Sequence, residues 1–174
     1  LQRYYSKELL RYSIKSVFKV EIEDEAVMRN QYGKPSFKNN EHIKFNISHC
    51  DGLIACAVGL EEMGVDVENI RSFDDYVVIR VCNMKEINDI YSSHDSKRTF
   101  FTYWTMKESL GKALGVGLHY PLRENEFIKN GDGYLCNYEG LKIKNYEIDN
   151  KFILSICTDK NEEIILRGVN LDGR

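Results

Sequence analysis

Residues 97–114, KRTFFTYWTMKESLGKAL, decide the fold. They form the longest stretch of helical periodicity in the chain, with Phe100, Phe101, Tyr103 and Trp104 leading into Met106–Leu114. Gly115 follows where a helix needs a residue tolerant of positive φ to stop it. Immediately upstream, two shorter helical stretches are expected near 74–82 and 84–91, and before them Met63–Glu68 alternates strictly, the pattern of a strand. Further back, Phe45–Ser48 and Leu53–Leu60 read as strands joined at Asp51-Gly52, a hairpin turn. Residues 20–28 could hold a short strand, ahead of a turn at Gly33-Lys34-Pro35. Residues 5–18 place Leu9, Leu10, Ile14, Val17 and Phe18 near helical spacing. Downstream, 124–167 alternates in short runs with turns at Asn130–Gly133 and Asp149-Asn150, which predicts an antiparallel sheet. The expected class is α+β: a long helix covering a mostly antiparallel sheet.

At 174 residues the chain can bury a core without disulfides or a structural metal. A net charge of −3 argues against a nucleic-acid partner held by bulk positive charge. No apolar run reaches the ~20 residues of a membrane span, so no membrane partner is expected. Cys50, Cys56, Cys82, Cys136 and Cys157 show no CxxC and no regular spacing. They read as small buried apolar residues in a reducing, cytoplasmic setting.

Four groups of residues carry chemistry. On a strand, Asp66 and Glu68 share one face with Cα atoms roughly 6–7 Å apart, while Val65 and Val67 point to the core. Two convergent carboxylates suit a hard cation such as Mg²⁺, although a lone DxE is more often the solvated face of a half-exposed strand. Trp104, Glu108 and Lys112 recur at i, i+4 and i+8 on one helix face. Glu108 could add a third carboxylate and Lys112 a charge near phosphate oxygens, or the two could be an ordinary surface pair. Ser48 and His49 stand at a strand end and could bind a phosphate or a base. Adjacent strand residues face opposite ways, which argues against a nucleophilic Ser-His pair. Lys34 sits in a Gly-Pro turn from which it could reach a phosphate. His42, His49 and Cys50 match no zinc spacing.

The order and spacing of YGKP (32–35), FNISH (45–49), GVDVE (64–68) and WTMKESLGKALGVGL (104–118) resemble the 4′-phosphopantetheinyl transferases of the surfactin-synthetase type. The resemblance runs from about residue 8 to residue 157. It implies two similar halves related by a pseudo-twofold axis, with the site in the cleft between them. These would be 1–62, on the coenzyme A side, and 63–174, with the metal ligands and the catalytic helix. The family's first strand and following basic segment have no counterpart, so the first half is expected to be N-terminally truncated.

By the same resemblance, Asp66, Glu68 and Glu108 look like magnesium ligands and Lys112 like the helix lysine beside the pyrophosphate. Lys34, Ser48 and His49 match positions that meet the adenosine bisphosphate end of coenzyme A. Glu86 stands where the family has a further acidic residue, and the stretch between Glu68 and Glu86 where it meets the carrier protein. The implied reaction is Mg²⁺-dependent transfer of phosphopantetheine from coenzyme A to a serine of an acyl or peptidyl carrier protein, by a monomer. The proton acceptor would be Glu108, directly or through a metal-bound water, with Glu86 or another water as alternatives. Two rivals stand beside it: a magnesium phosphohydrolase using the same carboxylates, and a relative that binds coenzyme A or a carrier without catalysis.

Overall fold

The computed structural model describes residues 1–22, 27–117 and 121–171. Helix α1 (Gln2–Phe18) lies on a hairpin of β3 (Lys44–Cys50) and β4 (Leu53–Gly59), with a small hairpin of β1 (Val27–Arg29) and β2 (Pro35–Phe37) between them in the chain. Strand β5 (Gly64–Asn69) then opens the second part: α2 (Asp75–Val81), α3 (Met84–Ser92), α4 (Ser96–Leu114) and strands β6 (Phe127–Asn130), β7 (Gly133–Cys136), β8 (Leu141–Ile148) and β9 (Phe152–Asp159). The five-stranded sheet has the order β5-β9-β8-β7-β6, and its paired strands are all antiparallel. The α+β reading, with a long helix on an antiparallel sheet, is what the structure shows.

Local chemistry explains where the elements begin and end. Asp95 caps α4 by accepting the backbone N–H of Arg98, and Gly115 ends it at φ +71°. Asn83 and Glu86 form a reciprocal capping box at the start of α3. Asp149 and Asn150 both take positive φ, the geometry a two-residue hairpin needs to match strand twist. Gly52, at φ +91°, plays the corresponding part between β3 and β4. Of the residues 20–28 expected to hold a short strand, Val27 and Met28 belong to β1, which continues to Arg29; 20–22 take no strand pairing and 23–26 lie outside the described residues, as does Leu118 of the long motif. The alternation read to 167 stops earlier: β9 ends at Asp159, and the remaining described residues, from 160 on, take no strand pairing.

Two packing layers place the functional helix. Leu10 and Ile14 of α1 bury against Phe37, Ile43 and Phe45, which seats the first hairpin. Met106 and Leu110 of α4 are fully buried over Ile143 and Cys157, each stabilising the fold by about 2–3 kcal/mol through apolar burial. Phe100 and Phe101 anchor α4's first half against α2 and α3, with Val78, Val81 and Ile90. Helix and strand β5 meet at Gly64, where a Cβ would lie 2.0 Å from the Ser109 carbonyl oxygen and 2.4 Å from the Ala113 nitrogen. Backbone cannot yield as a side chain can. Gly64→Ala is therefore expected to cost about 3 kcal/mol or more, at the severe end of overpacking. Thermal melting checks this: a variant melting within about 2 °C of the parent would show that α4 does not rest on β5.

Candidate active site

Strand β5 has two different edges. One pairs conventionally with β9, Asp66 opposite Ser155 and Glu68 opposite Ile153. The other faces β3, whose side chains stand in for backbone. Asn46 Oδ1 accepts the Val65 N–H at 2.8 Å, and Ser48 Oγ accepts the Val67 N–H at 3.3 Å. Buried backbone donors must be satisfied, so this edge costs nothing in unpaired N–H groups at those residues. Asn46 and Ser48 are the polar residues on the buried face of β3, and both are almost fully enclosed.

The same serine holds an acid. Ser48 donates its hydroxyl proton to Asp66 Oδ1 at 2.9 Å and accepts from the Lys112 ammonium at 3.1 Å. With the Val67 N–H, this uses the hydroxyl's one donor and two acceptor sites. Lys112 Nζ also donates to Asp66 Oδ1 at 2.7 Å and to the Val65 carbonyl at 3.1 Å. Asp66 is 5% exposed, against the sequence's simplest reading of a solvated acidic face. The strand is covered on both faces because α4 lies on one of them.

The i, i+4, i+8 face of α4 lands on this strand as its spacing predicts. Trp104 donates its indole N–H to Glu68 Oε1 at 3.3 Å, and Lys112 reaches Asp66. Glu108 lies one helical turn from each. Burial, then the neighbouring Asp66 and Glu68 charges, push the Glu108 carboxyl above its ordinary range, against the opposing pull of Lys112. Burial likewise raises Asp66, with Lys112 and Ser48 pulling it back. Among the described residues, Asp66 Oδ2 and Glu108 Oε1 are buried oxygens without a hydrogen-bond partner. An unpaired buried carboxylate oxygen is costly, and a hard cation is one species that would relieve both. No three His, Cys, Asp or Glu side chains among the described residues stand as a preformed cation cage. The reason is visible at Glu68, which is turned to Trp104 and to Arg71 Nη1, the latter at 2.7 Å from Oε2.

The other sequence candidates lie elsewhere. His49 is exposed and points to the opposite strand face from Ser48. Lys34 closes the β1–β2 hairpin over the C-terminal end of α4, donating to the Ala113 carbonyl at 2.8 Å and pairing with Glu62 at 2.5 Å. Asn30 joins it, donating to the Gly115 carbonyl at 2.9 Å. Those residues, with Pro35, Lys44 and Glu62, line a cleft at that end of the helix. Glu86 is not among the Asp66 carboxylates. It is buried, ion-paired at 2.9 Å with Lys107, whose side chain is completely enclosed. Lys107 neighbours Glu108 in the chain and so projects about 100° away around the helix. It also donates to the Leu122 carbonyl at 2.7 Å and lies 5.3 Å from the centre of the Phe127 ring.

Sequence reasoning missed Asn46, Arg71 and Lys107. Asn46 had a signal, a second polar residue two before Ser48 and so on the same strand face. Arg71 and Lys107 had none beyond being basic.

A strand-borne pair of acids with a third acid and a lysine from one helix face is a donor set that can serve a divalent cation and phosphate oxygens. Residues 62–163 match the 4'-phosphopantetheinyl transferase superfamily, and the chain belongs to that superfamily. A 4'-phosphopantetheinyl transferase of Bacillus subtilis is 31% identical over 134 residues, 73% of this chain and 60% of that protein. The 4'-phosphopantetheinyl transferase Sfp of Bacillus subtilis (strain 168) is 27% identical over 173 residues, 90% of this chain and 77% of that protein. Among solved structures, the holo-[acyl-carrier-protein] synthase of Thermotoga maritima superposes with a TM-score of 0.48 at 16% identity, over 58% of this chain and 64% of that one.

Proposed function

We propose that this chain transfers 4′-phosphopantetheine from coenzyme A to a serine of an acyl or peptidyl carrier protein, with Mg²⁺ held by Asp66, Glu68 and Glu108. The observation that carries the proposal is the pair of partnerless buried oxygens, Asp66 Oδ2 and Glu108 Oε1, beside Lys112 and inside the segment that matches the family. Bound there, Mg²⁺ would neutralise charge on the pyrophosphate oxygens. The carrier serine's oxygen forms a bond to the β-phosphorus as the bridge to the α-phosphate breaks, and adenosine 3′,5′-bisphosphate leaves. Glu108, its affinity for a proton raised by burial, is placed to accept the serine proton or to orient a water that does. Lys112 can turn its ammonium from Asp66 to the leaving phosphate, since its side chain is partly exposed. Glu86 Oε2 is taken by Lys107 and by the Asn83 N–H. Although its Oε1 is also a buried oxygen without a hydrogen-bond partner, the Lys107 ion pair holds the carboxyl on a different face of α4 from Glu108, which favours Glu108 or water as the proton acceptor.

Further parts of the reading follow the family resemblance. Lys34 and His49 are proposed to meet the adenosine bisphosphate end of coenzyme A, with Ser48 contributing by holding Asp66. The chain is proposed to comprise two pseudo-twofold halves, 1–62 and 63–174. It would act as a cytoplasmic monomer with no nucleic-acid or membrane partner. The five cysteines are all free, and no described helix is long and apolar enough to cross a membrane.

Intact mass spectrometry of an apo carrier protein, incubated with this chain, coenzyme A and Mg²⁺, tests the proposal. The expected result is a gain of one phosphopantetheine that EDTA abolishes. Binding of coenzyme A with no gain on several carriers would favour a non-catalytic relative instead. Release of products from coenzyme A by water alone would favour a phosphohydrolase.

A further inference from the structure

Of the three carboxylates proposed to hold the cation, Glu68 differs from the other two. Asp66 and Glu108 each keep a buried oxygen free of hydrogen bonds, whereas both oxygens of Glu68 are engaged: Oε1 by the Trp104 indole and Oε2 by Arg71. Arg71 sits just past β5, in the irregular segment before α2. Three contacts hold its guanidinium in place. One is the 2.7 Å ion pair to Glu68, another a 3.3 Å bond from Nη1 to the Asn69 carbonyl, and the third the face of the buried Phe101 ring, 4.9 Å from Cζ.

We propose that Arg71 is a latch on the cation site: it holds Glu68 in the cation-free protein and must release it before a divalent cation can take that carboxylate. The inference rests on the proposed cation role of Asp66, Glu68 and Glu108. Two features make Arg71 a latch and not a permanent brace. Its side chain is 55% exposed and that of Glu68 21%, so water can replace the ion pair at small cost. The Phe101 ring gives the guanidinium a contact it can keep after letting go, because stacking on an aromatic face does not require the carboxylate. Trp104 has a single N–H and no charge, and so competes weakly with a cation for the remaining oxygen. A divalent cation demands several oxygen ligands at once. Its affinity is therefore set partly by what Arg71 gains from staying closed. A ligand that binds only one of two states is weakened by the population of the other.

The test is Mn²⁺ binding to the full chain without substrate, followed by loss of the free-ion electron paramagnetic resonance signal. Arg71→Gln is expected to bind Mn²⁺ about five-fold more tightly than the parent, equivalent to about 1 kcal/mol for an exposed pair. Arg80→Gln, which removes an exposed charge from α2, is expected to leave the Kd unchanged. Wild-type affinity in Arg71→Gln would overturn the latch, as would equal tightening by both variants, which would reduce Arg71 to part of the general field. If the parent bound no Mn²⁺, the cation reading would fall and the latch with it. Parent binding with an unaltered Arg71→Gln removes the latch alone.

Discussion

Glu108→Gln is expected to lower the transfer rate by on the order of 10³-fold while leaving the protein at least as stable as the parent. Two effects combine in the rate: the variant loses a proton acceptor and a charged oxygen toward the cation. The stability expectation follows from burial. Glu108 carries a raised pKa because enclosure and the charges of Asp66 and Glu68 disfavour its ionised form. A group whose folded pKa is raised contributes stability below its unfolded value and loses it as pH rises through the folded one. Ionising Glu108 in the folded protein is therefore a strain on the fold, and a neutral isostere relieves it. Active sites commonly hold such unfavourable groups at a cost in stability. Carrier mass spectrometry at matched enzyme concentration reads the rate, and a thermal melt reads the stability. Near-parental turnover would remove Glu108 from both proposed roles. A drop in melting temperature would show that its carboxylate is paired in a way that the partnerless Oε1 does not suggest.

Lys107→Met is expected to destabilise the protein by about 3–5 kcal/mol, lowering the melting temperature by on the order of 10 °C. Methionine keeps most of the side chain's length and volume, so the loss is chiefly the ammonium. That ammonium has three attachments on a fully enclosed side chain: Glu86, the Leu122 carbonyl and the Phe127 ring. Removing it leaves Glu86, 4% exposed, as a buried carboxylate with only its cap to the Asn83 N–H. Burial already pushes Glu86 up and Lys107 down, the direction expected of a pair that each partner makes tolerable for the other. Adding Glu86→Gln to Lys107→Met should restore part of the loss, since two neutral groups need no mutual compensation. Denaturant melts of both variants decide it. A single variant within about 1 kcal/mol of the parent would mean that the pair contributes little, as surface pairs do.

The linear order of residues was enough for the elements that carry the site. Helical spacing placed Trp104, Glu108 and Lys112 on one face, and strand alternation paired Asp66 with Glu68, because these periods are properties of the backbone alone. Turn chemistry at Asp51-Gly52 and Asp149-Asn150, and the glycine after Leu114, marked ends for the same reason: positive φ is a local matter. The family resemblance rested on those short motifs, and the match over residues 62–163 supports it.

What tertiary structure decided was which atoms are already taken. Ser48 looked like a ligand-binding hydroxyl at a strand end, and its three bonds go instead to Val67, Asp66 and Lys112. Glu86 looked like one more site acid, and Lys107, one residue before Glu108, claims it on a different face of α4. Asp66 resembled a solvated acid until α4, resting on Gly64, closed over it. Periodicity specifies the face on which a side chain emerges. Burial and the identity of its partner depend on the element that packs there, and that element comes from tens of residues away in the chain. A hydrogen bond or ion pair 46 residues apart, such as Lys112 to Asp66, leaves no mark in the sequence around either end.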